Sequence, residues 1–319
     1  MARSLPTRRE FLADAGLAAA AVLCSGVSVG TAGEPDDKLH VSINQWSVGS
    51  IRGRDKEHAG ISLDAELAAL AASGMNGLEP GLGSADQVDG LFAQLSKHGL
   101  QLRSIYTGSS VVDPTNVDKE ISRIVALAKA AKEVGTKIIV TNPSPLPNRQ
   151  GKTDEQLQTQ AAALNKLGHE LAALGVTLAY HNHDVELNFA AREFHHMLLG
   201  TDPAALSLCL DAHWVYRGAG HSQVALFDVL KLYGARVCEL HLRQSSEHVW
   251  SEAFGDGDID YRTLVKHLRE AGACPLLVLE QGPEGKTPQT LEPEEVHRRS
   301  ARYVREVFAD LTPSVRTSS

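Results

Sequence analysis

The stretch Val176-Thr177-Leu178-Ala179-Tyr180-His181-Asn182-His183-Asp184 decides how the chain reads. A short run of β-branched and apolar residues, the composition of a buried strand, gives way in one step to side chains that bind metals or move protons. The same change recurs downstream. Leu206-Ser207-Leu208-Cys209-Leu210 runs into Asp211-Ala212-His213-Trp214, Leu240 is followed by His241, and Leu276-Leu277-Val278-Leu279 meets Glu280. Upstream, Gly77-Leu78 meets Glu79.

Working outward, candidate strands fall at 39–48, 77–82, 100–107, 136–142, 176–183, 206–214, 236–242 and 275–281. Amphipathic segments at 63–72, 85–98, 117–134, 155–174, 192–199, 224–233, 261–271 and 294–311 separate them. In Ile121, Ile124, Val125, Ala128 and Ala131 the apolar positions return every three or four residues, as one buried helix face requires. Gly74, Gly99, Gly135, Gly175, Gly234 and Gly272 follow such segments, where a left-handed cap is expected. Eight strand–helix pairs in about 270 residues fit an α/β chain folded as a (β/α)8 TIM barrel. An open doubly wound sheet is the competitor, weakened because no GxGxxG or GxxxxGK[ST] run follows the first strand.

The chain has 319 residues, a hydrophobic fraction of 43% and a formal charge of −8. Residues 1–33 stand apart. Paired Arg8 and Arg9 precede an apolar, Ala- and Gly-rich stretch that ends in small residues, the pattern of a twin-arginine export signal. Residues 34–319 then form a single barrel domain, expected in the periplasm or otherwise outside the cytoplasm, with no stable membrane insertion if the signal is cleaved. Without Arg3, Arg8, Arg9, Glu10 and Asp14 the body carries −9, which counts against nucleic acid, whose phosphates need clustered Lys and Arg. Cys209, Cys238 and Cys274 have no CxxC spacing and read as small buried hydrophobes.

In a (β/α)8 barrel the reactive groups sit at the C-terminal ends of the strands, where Glu79, His181, His183, Asp211, His213, His241 and Glu280 are expected, with Glu186 just beyond. Imidazole and carboxylate ligands without thiolate suit Mn²⁺, Zn²⁺, Fe²⁺ or Co²⁺ and do not suit a structural zinc. Asp211, His241 and Glu280, on consecutive strands, make the core of the expected ligand set. Trp46, Tyr106 and Trp214 lie at or near strand ends, where they can pack on the apolar face of a ligand or simply on the barrel.

The chain resembles the xylose isomerase-like TIM barrel superfamily, the sugar phosphate isomerase/epimerases. The stretches that carry the likeness are Tyr180-His181-Asn182-His183-Asp184, Leu210-Asp211-Ala212-His213-Trp214, Leu240-His241-Leu242-Arg243, Gly255-Asp256-Gly257-Asp258-Ile259-Asp260-Tyr261 and Leu279-Glu280-Gln281, in family order. The resemblance implies one divalent metal, Mn²⁺ foremost and Mg²⁺ among the alternatives, on His181, Asp211, His241 and Glu280. It also implies isomerisation or epimerisation of a neutral sugar or keto-sugar through a metal-stabilised enediolate, and leaves room for a homo-oligomer. Glu280 is the expected base, with Glu79, His183 and Glu186 as candidates for the second proton-transfer role.

Two departures bear on this. His181 stands where many epimerases have a glutamate, and Arg243-Gln244 stands where relatives often have Lys-Asp, so Arg243 becomes a candidate substrate contact. An asymmetric acid–base pair keeps a lyase or dehydratase on a 3-keto-glycoside or keto-inositol in play. A sugar-binding accessory protein without turnover is the third reading. The acidic body argues against an endonuclease on the same barrel, and the absence of a Gly-rich phosphate cradle argues against a phosphorylated substrate.

Overall fold

The computed structural model describes residues 39–53 and 61–311. The paired arginines and the rest of the 1–33 export signal lie outside the described residues.

Eight parallel strands form the barrel wall: β1 (Val41–Asn44), β2 (Gly77–Glu79), β3 (Ser104–Ser109), β4 (Ile138–Pro143), β5 (Thr177–His181), β6 (Leu206–Asp211), β7 (Val237–Leu242) and β8 (Leu276–Leu279). They pair in the order β2-β1-β8-β7-β6-β5-β4-β3. The seam between β2 and β3 is bridged by Leu78 N to Gln101 O at 3.2 Å and Tyr106 N to Pro80 O at 2.9 Å. Closure leaves no long strand edge exposed, and helices between strands cover the outer face. The apolar core lies mainly in that outer layer, between strands and helices, whereas a smaller set inside the barrel joins Ile138, Val140, Ala179 and Cys209.

Three strands, β1, β5 and β6, stop earlier than the sequence suggests. β1 ends at Asn44, whose side chain accepts from Trp46 N at 2.8 Å and caps helix α1 (Gln45–Arg52), so Trp46 rides on a helix. β6 ends at Asp211, whose Oδ1 accepts from Trp214 N at 2.8 Å and caps the short helix Ala212–Gly218. His213 therefore sits on that helix, bonded to Ser245 Oγ at 3.0 Å, and does not share a strand face with Asp211. β5 likewise ends at His181, two residues short of His183.

Gly74, Gly99, Gly135, Gly175 and Gly272 have positive φ, as helix caps demand, whereas Gly234 has φ −53° and opens a 3-10 turn instead. Cys209 is buried, but Cys274 is exposed and does not belong to the core. Among the described residues no helix is long and apolar enough to cross a membrane.

Candidate metal and active site

The C-terminal ends of β5 to β8 each deliver one side chain to the same spot. His181, Asp211, His241 and Glu280 place one ligand atom each within 4.8 Å of one another, and all four are buried. His181 Nε2 is 4.0 Å from Asp211 Oδ2 and 3.8 Å from Glu280 Oε2, and His241 Nδ1 is 3.1 Å from the same Glu280 oxygen. Register explains the convergence. In-line parallel pairing puts Asp211 beside His241 and His181 beside Cys209, so the ligands rise along one inner face. A step in register at Leu208/Cys209 inserts Cys238 as an extra residue in β7, a bulge that sets Glu239 opposite Cys209 and His241 opposite Asp211.

The donor set fits a divalent cation. Both ring nitrogens of His181 and Oδ2 of Asp211 are buried without a hydrogen-bond partner, a costly arrangement for polar atoms unless an ion completes it. Oδ1 and the main chain of Asp211 are already engaged: Oδ1 caps the helix, while Asn182 exchanges hydrogen bonds with the Asp211 backbone at 3.1 and 3.2 Å. Only Oδ2 is left for the cluster. Ligands about 2.1 Å from a cation stand roughly 3–4 Å apart, the spacing found here. Two imidazoles and two carboxylates are a transition-metal or Mg²⁺/Mn²⁺ set, not a thiolate one.

Charge is distributed unevenly. Burial pushes Asp211 up to about 7 even with Arg243 nearby. Burial works against ionised Glu280 as well, yet Arg243, His181 and His241 hold its carboxyl well below the usual carboxylate range. Arg243 donates Nε to the Glu280 carbonyl at 2.8 Å and sets Nη2 3.2 Å from Oε2. Its guanidinium carbon lies 5.1, 5.0 and 4.3 Å from the ring centres of Trp46, Trp214 and Trp250, which are all three tryptophans of the chain. The contacts with His181, His241 and Arg243 all fall on Glu280 Oε2, which leaves Oε1 as the oxygen available to the cavity.

That cavity, about 650 Å³, opens above the cluster and is lined by Asn44, Trp46, Tyr106, His183 and Glu280 among others. Burial and the neighbouring His181 push His183 down to about 3, so it faces the cavity as a neutral imidazole. Tyr106 stands edge-on to His181, with ring centres 5.4 Å apart. Trp46 is 44% exposed at the rim. Trp214 and Arg243 lie behind this wall, packed on one another.

Two expected proton carriers are placed elsewhere. Glu186 is buried and turned away from the ligands, with Oε2 accepting from His183 N in its own loop at 2.8 Å and Oε1 from Asn142 Nδ2 on β4 at 3.1 Å. Glu79 is sealed below the ligands, 3.2 Å from His241 Nε2, and does not line the cavity. One residue escaped the sequence reading altogether. Glu239 is fully buried beside His241, and burial with the charge of Glu79 pushes it up to about 8. Its period-two spacing from His241 within an apolar run was the available signal.

A closed parallel barrel with a His/Asp/His/Glu cluster at its C-terminal mouth defines a class, and likeness to known proteins supplies the family. A profile of the xylose isomerase-like TIM barrel family matches residues 67–307, and the chain belongs to that family. An inosose dehydratase of Clostridium botulinum is 24% identical over 302 residues, covering 85% of this chain and 97% of that protein. Among solved structures, a sugar phosphate isomerase/epimerase from Parabacteroides distasonis superposes with a TM-score of 0.67 at 20% identity, covering 91% of this chain and 99% of that one. A xylose isomerase-like TIM barrel protein from Mycobacterium smegmatis in complex with magnesium gives 0.62 at 15% identity, covering 86% and 98%.

Proposed function

We propose that the protein is a divalent-metal-dependent enzyme of the sugar isomerase, epimerase and lyase kind, which removes the proton beside the carbonyl of a neutral sugar or keto-sugar. The observation that carries this reading is the convergence of His181, Asp211, His241 and Glu280 under a cavity wide enough for a sugar. Those four residues would hold the ion. When bound, it supplies a Lewis acid that draws developing charge onto the carbonyl oxygen and makes the adjacent C–H acidic.

The chain's own groups divide the remaining work. Glu280 is fixed through Oε2 by Arg243 and the two histidines, so Oε1 is the atom that takes the proton. His183 and Tyr106 face the same space and orient substrate hydroxyls by hydrogen bonds. Trp46 offers an exposed indole to the sugar's C–H face. The structural likeness to the Parabacteroides isomerase/epimerase and the full-length likeness to an inosose dehydratase both agree with a reaction that begins by deprotonation.

The step after deprotonation separates two readings. Epimerisation by a symmetric pair needs a carboxylate on each face of the sugar, whereas here Glu79 and Glu186 are turned away and Glu280 is the carboxylate lining the cavity. That placement favours the second reading, in which a β-hydroxyl or glycosyl oxygen leaves, and it agrees with the dehydratase relative. Incubation with hexoses, keto-inositols and 3-keto-glycosides in deuterated water, with Mn²⁺ or Mg²⁺ added, tests both. Deuterium gain without loss of a substituent marks isomerisation or epimerisation, and release of water or an aglycone marks elimination. Neither event on any carbonyl sugar, with sugar binding retained, would contradict enzymatic function. Export through residues 1–33 is part of the same proposal, checked by an N-terminal sequence of the mature protein.

A further inference from the structure

Glu79 and Glu239 are both fully buried, and both point at one atom. Glu79 ends β2 and Glu239 lies in β7, brought inward by the bulge at Cys238. His241 Nε2 stands 3.2 Å from Glu79 Oε2 and 3.3 Å from Glu239 Oε1. Each carboxyl is secured from behind. Asn44 Nδ2 donates to Glu79 Oε2 at 2.6 Å, and the Cys209 thiol donates to Glu239 Oε1 at 3.6 Å. The other ring nitrogen, Nδ1, faces Glu280 Oε2 at 3.1 Å among the ligand atoms. A singly protonated imidazole has one donor and one acceptor nitrogen, and acceptors crowded at one of them fix the proton there.

We infer that Glu79 and Glu239 are positioning residues that clamp His241 through Nε2, keep the proton on that nitrogen, and present the Nδ1 lone pair to a cation held with His181, Asp211 and Glu280. The inference rests on the metal reading proposed above and gives Glu79 a task other than proton transfer. A carboxylate on the far nitrogen of a ligating histidine fixes ring orientation and raises its basicity, and losing such a partner costs about 10–100-fold in metal affinity. Two clamps on one nitrogen also account for the acidic side chains below the ligands, where the barrel interior is otherwise packed with Ile138, Val140 and Ala179.

The test is a chelator-competition titration of the full chain with Mn²⁺, together with the melting temperature of the metal-free protein. Wild type should bind one equivalent and His241→Ala none. Glu79→Gln, which keeps an acceptor oxygen, should bind about 10-fold more weakly, and Glu79→Leu up to about 100-fold. Glu239→Leu should weaken binding in the same direction. A purely structural role would lower the metal-free melting temperature and leave the dissociation constant alone, which would overturn the clamp. A second tightly bound equivalent in wild type would also overturn it, because Cys209, Glu239 and His241 would then be ligands of another ion. Wild type that binds no divalent ion overturns the metal reading and the clamp with it, whereas tight wild-type binding with unchanged variants overturns the clamp alone.

Discussion

Arg243 shows how one side chain sets the character of the site. It is 1% exposed, bonded to both the carbonyl and the carboxylate of Glu280, and walled by three indoles. Lysine would keep the charge, but it has neither the planar fork that spans two acceptors nor the flat face that stacks on tryptophan. Removing one member of a buried ion pair strands the other. Arg243→Met should therefore destabilise the metal-free protein by about 3–5 kcal/mol in chemical denaturation, mostly through the charge left on Glu280. Arg243→Lys should fall between Met and wild type. An Arg243→Met protein as stable as wild type would show that Glu280 does not depend on this partner.

At the scale of elements, the alternation of apolar runs with amphipathic segments carried the eight strands and most helices. That pattern reflects burial on both faces of a parallel strand and on one stripe of its covering helix. Strand ends were legible only in part, because apolar composition continues past the point where a cap turns the chain. Asn44 and Asp211 each accept from a main-chain amide, and helices begin inside stretches that read as strand. The four residues of the cluster were visible as polar endings of apolar runs. Glu239 carried only its period-two spacing from His241, because it lies inside the strand and not at its polar end, and the bulge that sets its facing leaves no mark in composition.

The last helix carries a prediction of its own. His297 on Pro293–Val307 is 6% exposed, and burial with the Arg52 charge pushes it down to about 4 from 6.5. Between those values the unfolded chain binds the proton and the folded chain does not, so its contribution is full above pH 6.5 and is lost as pH falls toward 4. That loss amounts to about 3 kcal/mol. Denaturation at pH 7.5 and 4.5 should show a smaller difference for His297→Leu than for wild type, and an equal difference would place the acid lability elsewhere.

For the whole molecule, barrel closure is what makes the cluster possible. Groups separated by up to 99 positions, from His181 to Glu280, meet because successive parallel strands carry their ends to one rim. Trp46 and Tyr106 on the cavity lining agree with the sugar substrate proposed above. In the proposed function one cation joins strands β5 to β8. Equilibrium dialysis of the purified protein against Mn²⁺ measures it directly. Wild type should retain one equivalent, and His181→Ala, Asp211→Ala, His241→Ala and Glu280→Ala none, each still folded by circular dichroism. Metal retained by all four variants as by wild type, or by none of the five proteins, would contradict it.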